Sequence, residues 1–250
     1  MSASKLPQWL HYLETCPSTN TWAIANLAKL NHGDVVFTQQ QTAGRGQHRR
    51  TWHSPKGVLT TSIILDQIPA IQLPTFSLAA GLAVIYAVED LLPDLQKLQL
   101  KWPNDVCLNK QKLAGILCEA SANGVSSRVV VGIGVNVNVE FGKAGINAIS
   151  LHQISSTLPD NFQLLERLRH YLLETASLLS LENKGLGVLL PALRSRDALI
   201  GQEISMDLGK EIVVGQAAGI SDRGYLLLKL PNGEVRSFIS GHIVFSGVAQ

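Results

Sequence analysis

Three β-type runs lie close together between Leu98 and Val139, and they constrain the fold more than any other feature. Leu98–Leu108, Lys112–Ser121 and Arg128–Val139 are rich in branched apolar residues. Asn109-Lys110-Gln111 and Ala122-Asn123-Gly124 separate them, and turns that short make the stretch antiparallel. Two further strands are expected at Asp34–Gln40 and Val58–Leu65, the second rich in β-branched residues. Ser18 or Thr19 can cap a helix that carries Trp22, Ala23, Ala25, Leu27, Ala28 and Leu30 and stops at Gly33. Thr75–Leu92 reads as a long apolar helix ended by Pro93. Phe162–Leu181 reads as an amphipathic helix, with a shorter one near Gly187–Arg194.

The pattern changes near Asp197. Short strands follow, broken at Leu208-Gly209-Lys210, Asp222-Arg223-Gly224 and Asn232-Gly233, and that rhythm predicts a small antiparallel barrel. The expected boundary is near residue 196. The 250 residues suffice for one large domain, or for one medium domain plus a small one.

Composition removes several function classes. Lys and Arg number 21 against 19 acids, a net charge of +2, without the basic bias of a nucleic-acid partner. Cys16, Cys107 and Cys118 have no metal-ligand spacing and read as reduced thiols. The N-terminus has no apolar leader, and no apolar run reaches the ~18 residues of a membrane span. The expectation is a soluble, cytoplasmic protein.

Three segments concentrate polar chemistry. The first is the loop Gly44-Arg45-Gly46-Gln47-His48-Arg49-Arg50-Thr51-Trp52-His53-Ser54-Pro55-Lys56-Gly57. Glycines let backbone N–H groups approach an anion, arginines bind carboxylates and phosphates in bidentate fashion, and the tryptophan offers a flat face to a base. A solvated basic loop is the alternative reading. The second is Lys101-Trp102-Pro103-Asn104-Asp105. Pro103 has no N–H for a ladder, so the segment belongs at a strand end or bulge. A hairpin after it brings Lys112 back beside Asp105; an ordinary surface ion pair is the alternative. The third is Val129–Asn138. Gly132, Gly134, Asn136 and Asn138 share one face of this strand, and Val131, Ile133, Val135 and Val137 share the other. The open face suits a ligand against bare backbone, or a closely packed helix. The glycines do not open a helix, so a Rossmann fingerprint is excluded.

Taken in order, Ser18-Thr19-Asn20, Gln41 to Trp52, Ser54-Pro55-x-Gly57, Lys101 to Asp105, Lys112 to Glu119 and Gly132-x-Gly-x-Asn136 resemble the biotin protein ligases. The resemblance runs from about Glu14 to Asn138 and continues more weakly to the end. It implies an α/β (α+β) catalytic domain with a mixed sheet over 1–196, and a small C-terminal SH3-like β-barrel over 197–250. It implies adenylation of biotin by ATP with Mg²⁺, then transfer to a lysine on the biotin carboxyl carrier domain of a biotin-dependent carboxylase, acetyl-CoA carboxylase being the expected one. No nucleic-acid or membrane partner is expected, and homodimerisation through a sheet edge is left open.

Residue roles follow from the same resemblance. Ser18, Thr19, Asn20, Gln41, Gly44, Arg45, Gly46, Lys112 and Gly115 match biotin-binding positions. Arg45, Arg50, Trp52, Lys101, Asn104, Lys112, Gly132, Gly134 and Asn136 match ATP- and adenylate-binding positions, with Trp52 against the adenine and Asn136 as its hydrogen-bonding reader. Arg45, Lys112 and Asp105 match the catalytic groups, with Asp105 also the expected Mg²⁺ ligand. Two anions must meet in such a reaction, and fixed cations lower that barrier.

This chain also departs from the family pattern. Gln47 stands where an arginine associated with retaining the adenylate is common, and Arg49 replaces a glycine. Near the end, Gly241-His242 and Ser246 stand where some members carry acidic and basic residues, which puts contacts from the small domain to ATP in question. Repressor members carry an N-terminal helix-turn-helix; about thirteen residues precede the motifs here, so no such domain is expected. The rival readings are a lipoate or octanoyl ligase and a non-catalytic biotin-binding protein.

Overall fold

The computed structural model describes residues 6–95, 97–123, 126–141, 147–180 and 185–244, without the side chains of Arg49, Ala122, Asn123 and Ser126. Gly124, Leu181 and Ser246 lie outside the described residues.

Seven strands form one mixed sheet: β1 (Leu10–Cys16), β2 (Val35–Gln41), β3 (Val58–Pro69), β4 (Gln99–Lys101), β5 (Asp105–Leu108), β6 (Gln111–Asn123) and β7 (Ser126–Asn136). Their order is β1-β2-β3-β7-β6-β5-β4. The block from β4 to β7 is antiparallel, as its short turns predict. The β1 strand is an addition to the sequence reading. It pairs parallel to β2 at the sheet edge, and most of its residues stay partly exposed. Leu10-His11-Tyr12-Leu13-Glu14-Thr15-Cys16 therefore lacks the alternation that marks a half-buried strand.

In-register partners across β2, β3, β7 and β6 share a face, which divides the sheet cleanly. One face carries Val35, Ile63, Val131 and Val135, packed under α2 (Phe76–Leu91) and α3 (Asn161–Ser180). The opposite face carries Val36, Ile64 and Val130, covered by α1 (Thr19–Ala25) through Ala23. Beyond that apolar patch, the same face continues as Thr60, Ser62, Gly132, Gly134 and Gly115. An open, polar floor is thereby built where small and polar residues replace branched ones.

Ser18 caps α1 through its hydroxyl, which accepts from Thr21 N. The α-helix ends five residues short of Leu30. The Asn26 amide donates to Trp22 O at 2.9 Å, and Leu27–Lys29 continues as a 3-10 turn. At the other side of the site, β7 ends three residues before Val139. Val137 N and Asn138 N donate to Gly57 O at 3.1 and 2.9 Å instead of to the ladder. Gly57 has φ +96, and a Cβ there would strike the Asn138 carbonyl.

Helix α2 is long and apolar enough to cross a membrane by length and composition, together with the 3-10 turn Ala70–Thr75 before it. Its residues are instead buried in the core, Phe76, Leu78, Leu82 and Ile85 at 1% exposure or less. After α4 (Leu190–Ser195), five strands form an antiparallel sheet: β8 (Glu203–Asp207), β9 (Ile212–Ile220), β10 (Leu226–Lys229), β11 (Val235–Phe238) and β12 (His242–Val244), in the order β11-β10-β9-β8-β12. This smaller sheet shares the main core through Ile204, Met206 and Leu228. Trp102, 2% exposed, donates from Nε1 to Gly224 O at 3.2 Å and ties the β4–β5 turn to it.

Candidate active site

A cavity of about 220 Å³ lies over the polar end of the sheet. Ser18, Thr19, Asn20, Gln41, Arg45, Gly46, Arg50, Trp52, Lys101, Asn104, Asp105, Lys112, Gly115, Gly132 and Gly134 all line it. The sequence-predicted residues thus converge from α1, the end of β2, the Arg–Gly loop, the β4–β5 turn, β6 and β7. Gly44 and Asn136 do not line the cavity. A Cβ on Gly44 would collide with the Trp52 carbonyl, so this glycine allows the loop to fold on itself. Asn136, 4% exposed, donates its amide to Lys112 O and Ile149 O, both at 3.1 Å. It anchors the backbone that presents Lys112.

The Arg–Gly loop is a narrow hairpin. Trp52 N donates to Gly44 O at 3.0 Å, Gly46 N to Arg50 O at 2.7 Å, and Arg45 bridges Thr51. This fold-back lays the Trp52 ring on the glycine floor. A Cβ on Gly134 would overlap the ring, and one on Gly115 would meet it at 3.1 Å. Trp52 Nε1 is buried without a hydrogen-bond partner among the described residues. A buried, unpaired donor costs about 1–3 kcal/mol, so this one is poised for an acceptor.

Cations and carboxylates are paired around the cavity. Lys112 Nζ lies 2.6 Å from Asp105 Oδ1 and 5.2 Å from the Trp52 ring centroid. The pairing follows from the hairpin: Asp105 faces Gly115, and the irregular register at Cys107 swings Lys112 back over that pair. Arg45 Nη2 lies 2.6 Å from Glu119 Oε2. Asn104 N-terminal to Asp105 is tied to β6, its amide donating to Ile116 O at 2.7 Å. Behind the ion pair, the Cys107 thiol is pushed up to about 12, first by burial and then by Asp105. It is not a nucleophile at neutral pH.

The smaller sheet closes one wall with Gly241, His242 and Ile243. The imidazole of His242 is held below its ordinary value by burial first, then by Arg50 and Lys101, with His48 adding and Asp207 opposing. Arg50 and Lys101, the two cations on this side of the cavity, are suited to a polyanion. Sequence reasoning discounted this wall and missed Glu119 and Ser62. The period-two step from Gly115 through Leu117 to Glu119 is the signal that puts Glu119 on the site face.

No group of three or more His, Cys, Asp or Glu side chains suited to a metal occurs among the described residues. Asp105 therefore offers a single carboxylate. That fits a Mg²⁺ ion held mainly by phosphate oxygens, which needs only one or two protein carboxylates.

Residues 12–136 match the model of the biotin/lipoate A/B protein ligase family, and residues 199–246 match the biotin protein ligase C-terminal domain. The bifunctional ligase/repressor BirA of Salmonella typhimurium is 31% identical over 241 residues, covering 92% of this chain and 72% of that protein. The biotin–[acetyl-CoA-carboxylase] ligase of Mycobacterium tuberculosis is 35% identical over 202 residues, covering 78% of this chain and 73% of that one. Among solved structures, the biotin protein ligase of Aquifex aeolicus in complex with biotin and ATP superposes with a TM-score of 0.79 at 28% identity, covering 94% of this chain and 97% of that one.

Proposed function

The chain belongs to the biotin/lipoate A/B protein ligase family, and on that premise we propose that it activates biotin with ATP and transfers it to the lysine of a biotin carboxyl carrier domain, in the cytoplasm. One observation carries this reading. Arg45 and Lys112, each beside its own carboxylate, share a cavity with the glycine floor and the Trp52 ring.

In the first half-reaction a biotin carboxylate oxygen attacks the α-phosphorus of ATP, the bond to the bridging oxygen breaks, and pyrophosphate leaves. Arg45 and Lys112 offset the repulsion between the two anions and the charge that develops between them. Lys101, Arg50 and the wall at His242 face the polyphosphate, and Trp52 offers its ring to the adenine over Gly134. Asp105 is the side chain that would hold Mg²⁺, which when bound supplies further neutralisation of phosphate charge. The product is a mixed anhydride, and folding of the Arg–Gly hairpin over it excludes water. In the second half-reaction the acceptor amine, having lost its proton, attacks the acyl carbon and AMP departs. Asp105 is placed to orient or deprotonate that amine.

The division of labour follows a junction near residue 196, with adenylation and transfer on 1–196 and one cavity wall on 197–250. The names of the relatives support acetyl-CoA carboxylase as the source of the acceptor. The test is direct. Purified protein, ATP, Mg²⁺ and biotin are mixed with an isolated carrier domain, and the lysine is examined by mass spectrometry. A biotinyl adduct that vanishes when that lysine is replaced by arginine supports the reading; no adduct overturns it.

A further inference from the structure

A chain of hydrogen bonds runs beneath the cavity floor. Thr19 N donates to Gln41 Oε1 at 2.8 Å, and Thr19 Oγ1 lies 3.3 Å from the same oxygen. Thr19 Oγ1 lies 2.7 Å from Ser62 Oγ, and Ser62 Oγ lies 2.6 Å from Asn20 Oδ1. The Asn20 amide nitrogen donates to Leu117 O at 3.1 Å and to Glu119 Oε2 at 2.9 Å. Thr19, Ser62 and Asn20 are each 3% exposed or less.

Two hydroxyl protons must serve three oxygen–oxygen gaps, so the chain has a direction. A carboxylate can only accept, as can the Leu117 carbonyl. Together they force the Asn20 nitrogen toward β6 and its oxygen toward Ser62. Ser62 must then donate to Asn20, and Thr19 must donate to Ser62, because both short gaps need a proton. The 3.3 Å gap to Gln41 is left without one. In this direction Thr19 Oγ1 keeps both lone pairs and Gln41 Oε1 keeps one. With Asn20 turned over, Ser62 would donate to Thr19 and Thr19 to Gln41. That leaves one lone pair on Thr19 and none on Gln41.

We infer that Glu119 is a positioning residue that, with the Leu117 carbonyl, sets this direction, so that Thr19 and Gln41 present acceptors to the cavity and the site selects a ring carrying N–H donors. The inference rests on the biotin reading, whose ureido ring carries two such donors. It adds to that reading two residues, Glu119 and Ser62, that lie outside the cavity lining. Glu119 also holds Arg45 at 2.6 Å, so a second variant is needed to separate its two roles. Ser62 contacts Thr19 and Asn20 but not Arg45, and Ser62→Ala breaks the relay alone.

The experiment measures biotin-dependent pyrophosphate exchange with biotin and with the cyclic carbamate analogue, in which one ureido N–H is replaced by oxygen. It compares wild type, Glu119→Gln and Ser62→Ala, each checked for folding by thermal denaturation. Lost hydrogen bonds of this kind are worth about tenfold each. Both variants are expected to lose about tenfold of the wild-type preference for biotin, mainly through KM. An unchanged preference in folded Ser62→Ala overturns the inference. Where Ser62→Ala fails to fold, the same preference in Ser62→Cys, which keeps the volume but donates only weakly and leaves Arg45 untouched, decides it. Absence of exchange in wild type would instead overturn the ligase reading itself.

Discussion

Lys112 Nζ stands 2.6 Å from Asp105 Oδ1, although the two residues lie on opposite arms of a hairpin. Their side chains are 33% and 21% exposed, so the pair is partly solvated and contributes only about 0–1 kcal/mol to stability. On the proposed function its value is in placing a cation at the reaction centre. Lys112→Gln is therefore expected to lower the rate of adenylate formation by about 10²–10³-fold, with little change in melting temperature. Rapid-quench measurement of biotinyl-AMP beside a thermal melt checks both. A large stability loss with normal chemistry would show that the pair is structural.

Gly134→Ala tests the glycine floor. The new Cβ would overlap the Trp52 ring, and overpacking of this kind costs about 1–3 kcal/mol. The ring sits on a loop and can move, so the protein should fold while Trp52 leaves its slot. KM for ATP should rise about tenfold, and tryptophan emission should shift to the red. Unchanged emission and KM would place the adenine elsewhere.

Gln47 lines the cavity where an arginine would add a cation. Gln47→Arg is expected to slow escape of the adenylate by about tenfold, measured as labelled biotinyl-AMP passing a filter that retains the protein. Release at the wild-type rate would assign retention to other groups.

Asp197 gives a pH signature from outside the cavity lining. It is 5% exposed, Oδ1 accepts from Leu199 N at 2.8 Å, and Oδ2 has no hydrogen-bond partner among the described residues. Burial raises its carboxyl above the usual range against the pull of the Leu199 and Ile200 amides. A raised folded-state value means that the folded protein holds this proton more tightly. The resulting stabilisation is full below the unfolded value near 3.8 and is lost as pH rises through the folded value. Asp197→Asn cannot titrate, so wild type should lose stability relative to the variant as pH rises above about 4. Urea melts across that range test this; parallel curves would contradict it.

Much of the site was legible because its chemistry is local in sequence. Short turns brought Lys112 to Asp105, and period-two spacing set Gly132 and Gly134 on one face. The edge strand β1 was not legible, because a parallel, half-exposed strand carries no alternation. Asn136 shares the glycine face, yet its carboxamide is drawn to the Lys112 and Ile149 carbonyls, partners that only tertiary structure supplies. Ser62 read as an ordinary strand residue. Its position between Thr19 and Asn20 depends on α1 crossing β3 and β7, which no spacing reveals.

Exchange of labelled pyrophosphate into ATP, measured with biotin, with lipoate and with neither, tests the central claim most directly. The account predicts exchange that requires biotin and is lost in Lys112→Gln. Exchange driven by lipoate alone, or none with either acid, would contradict it.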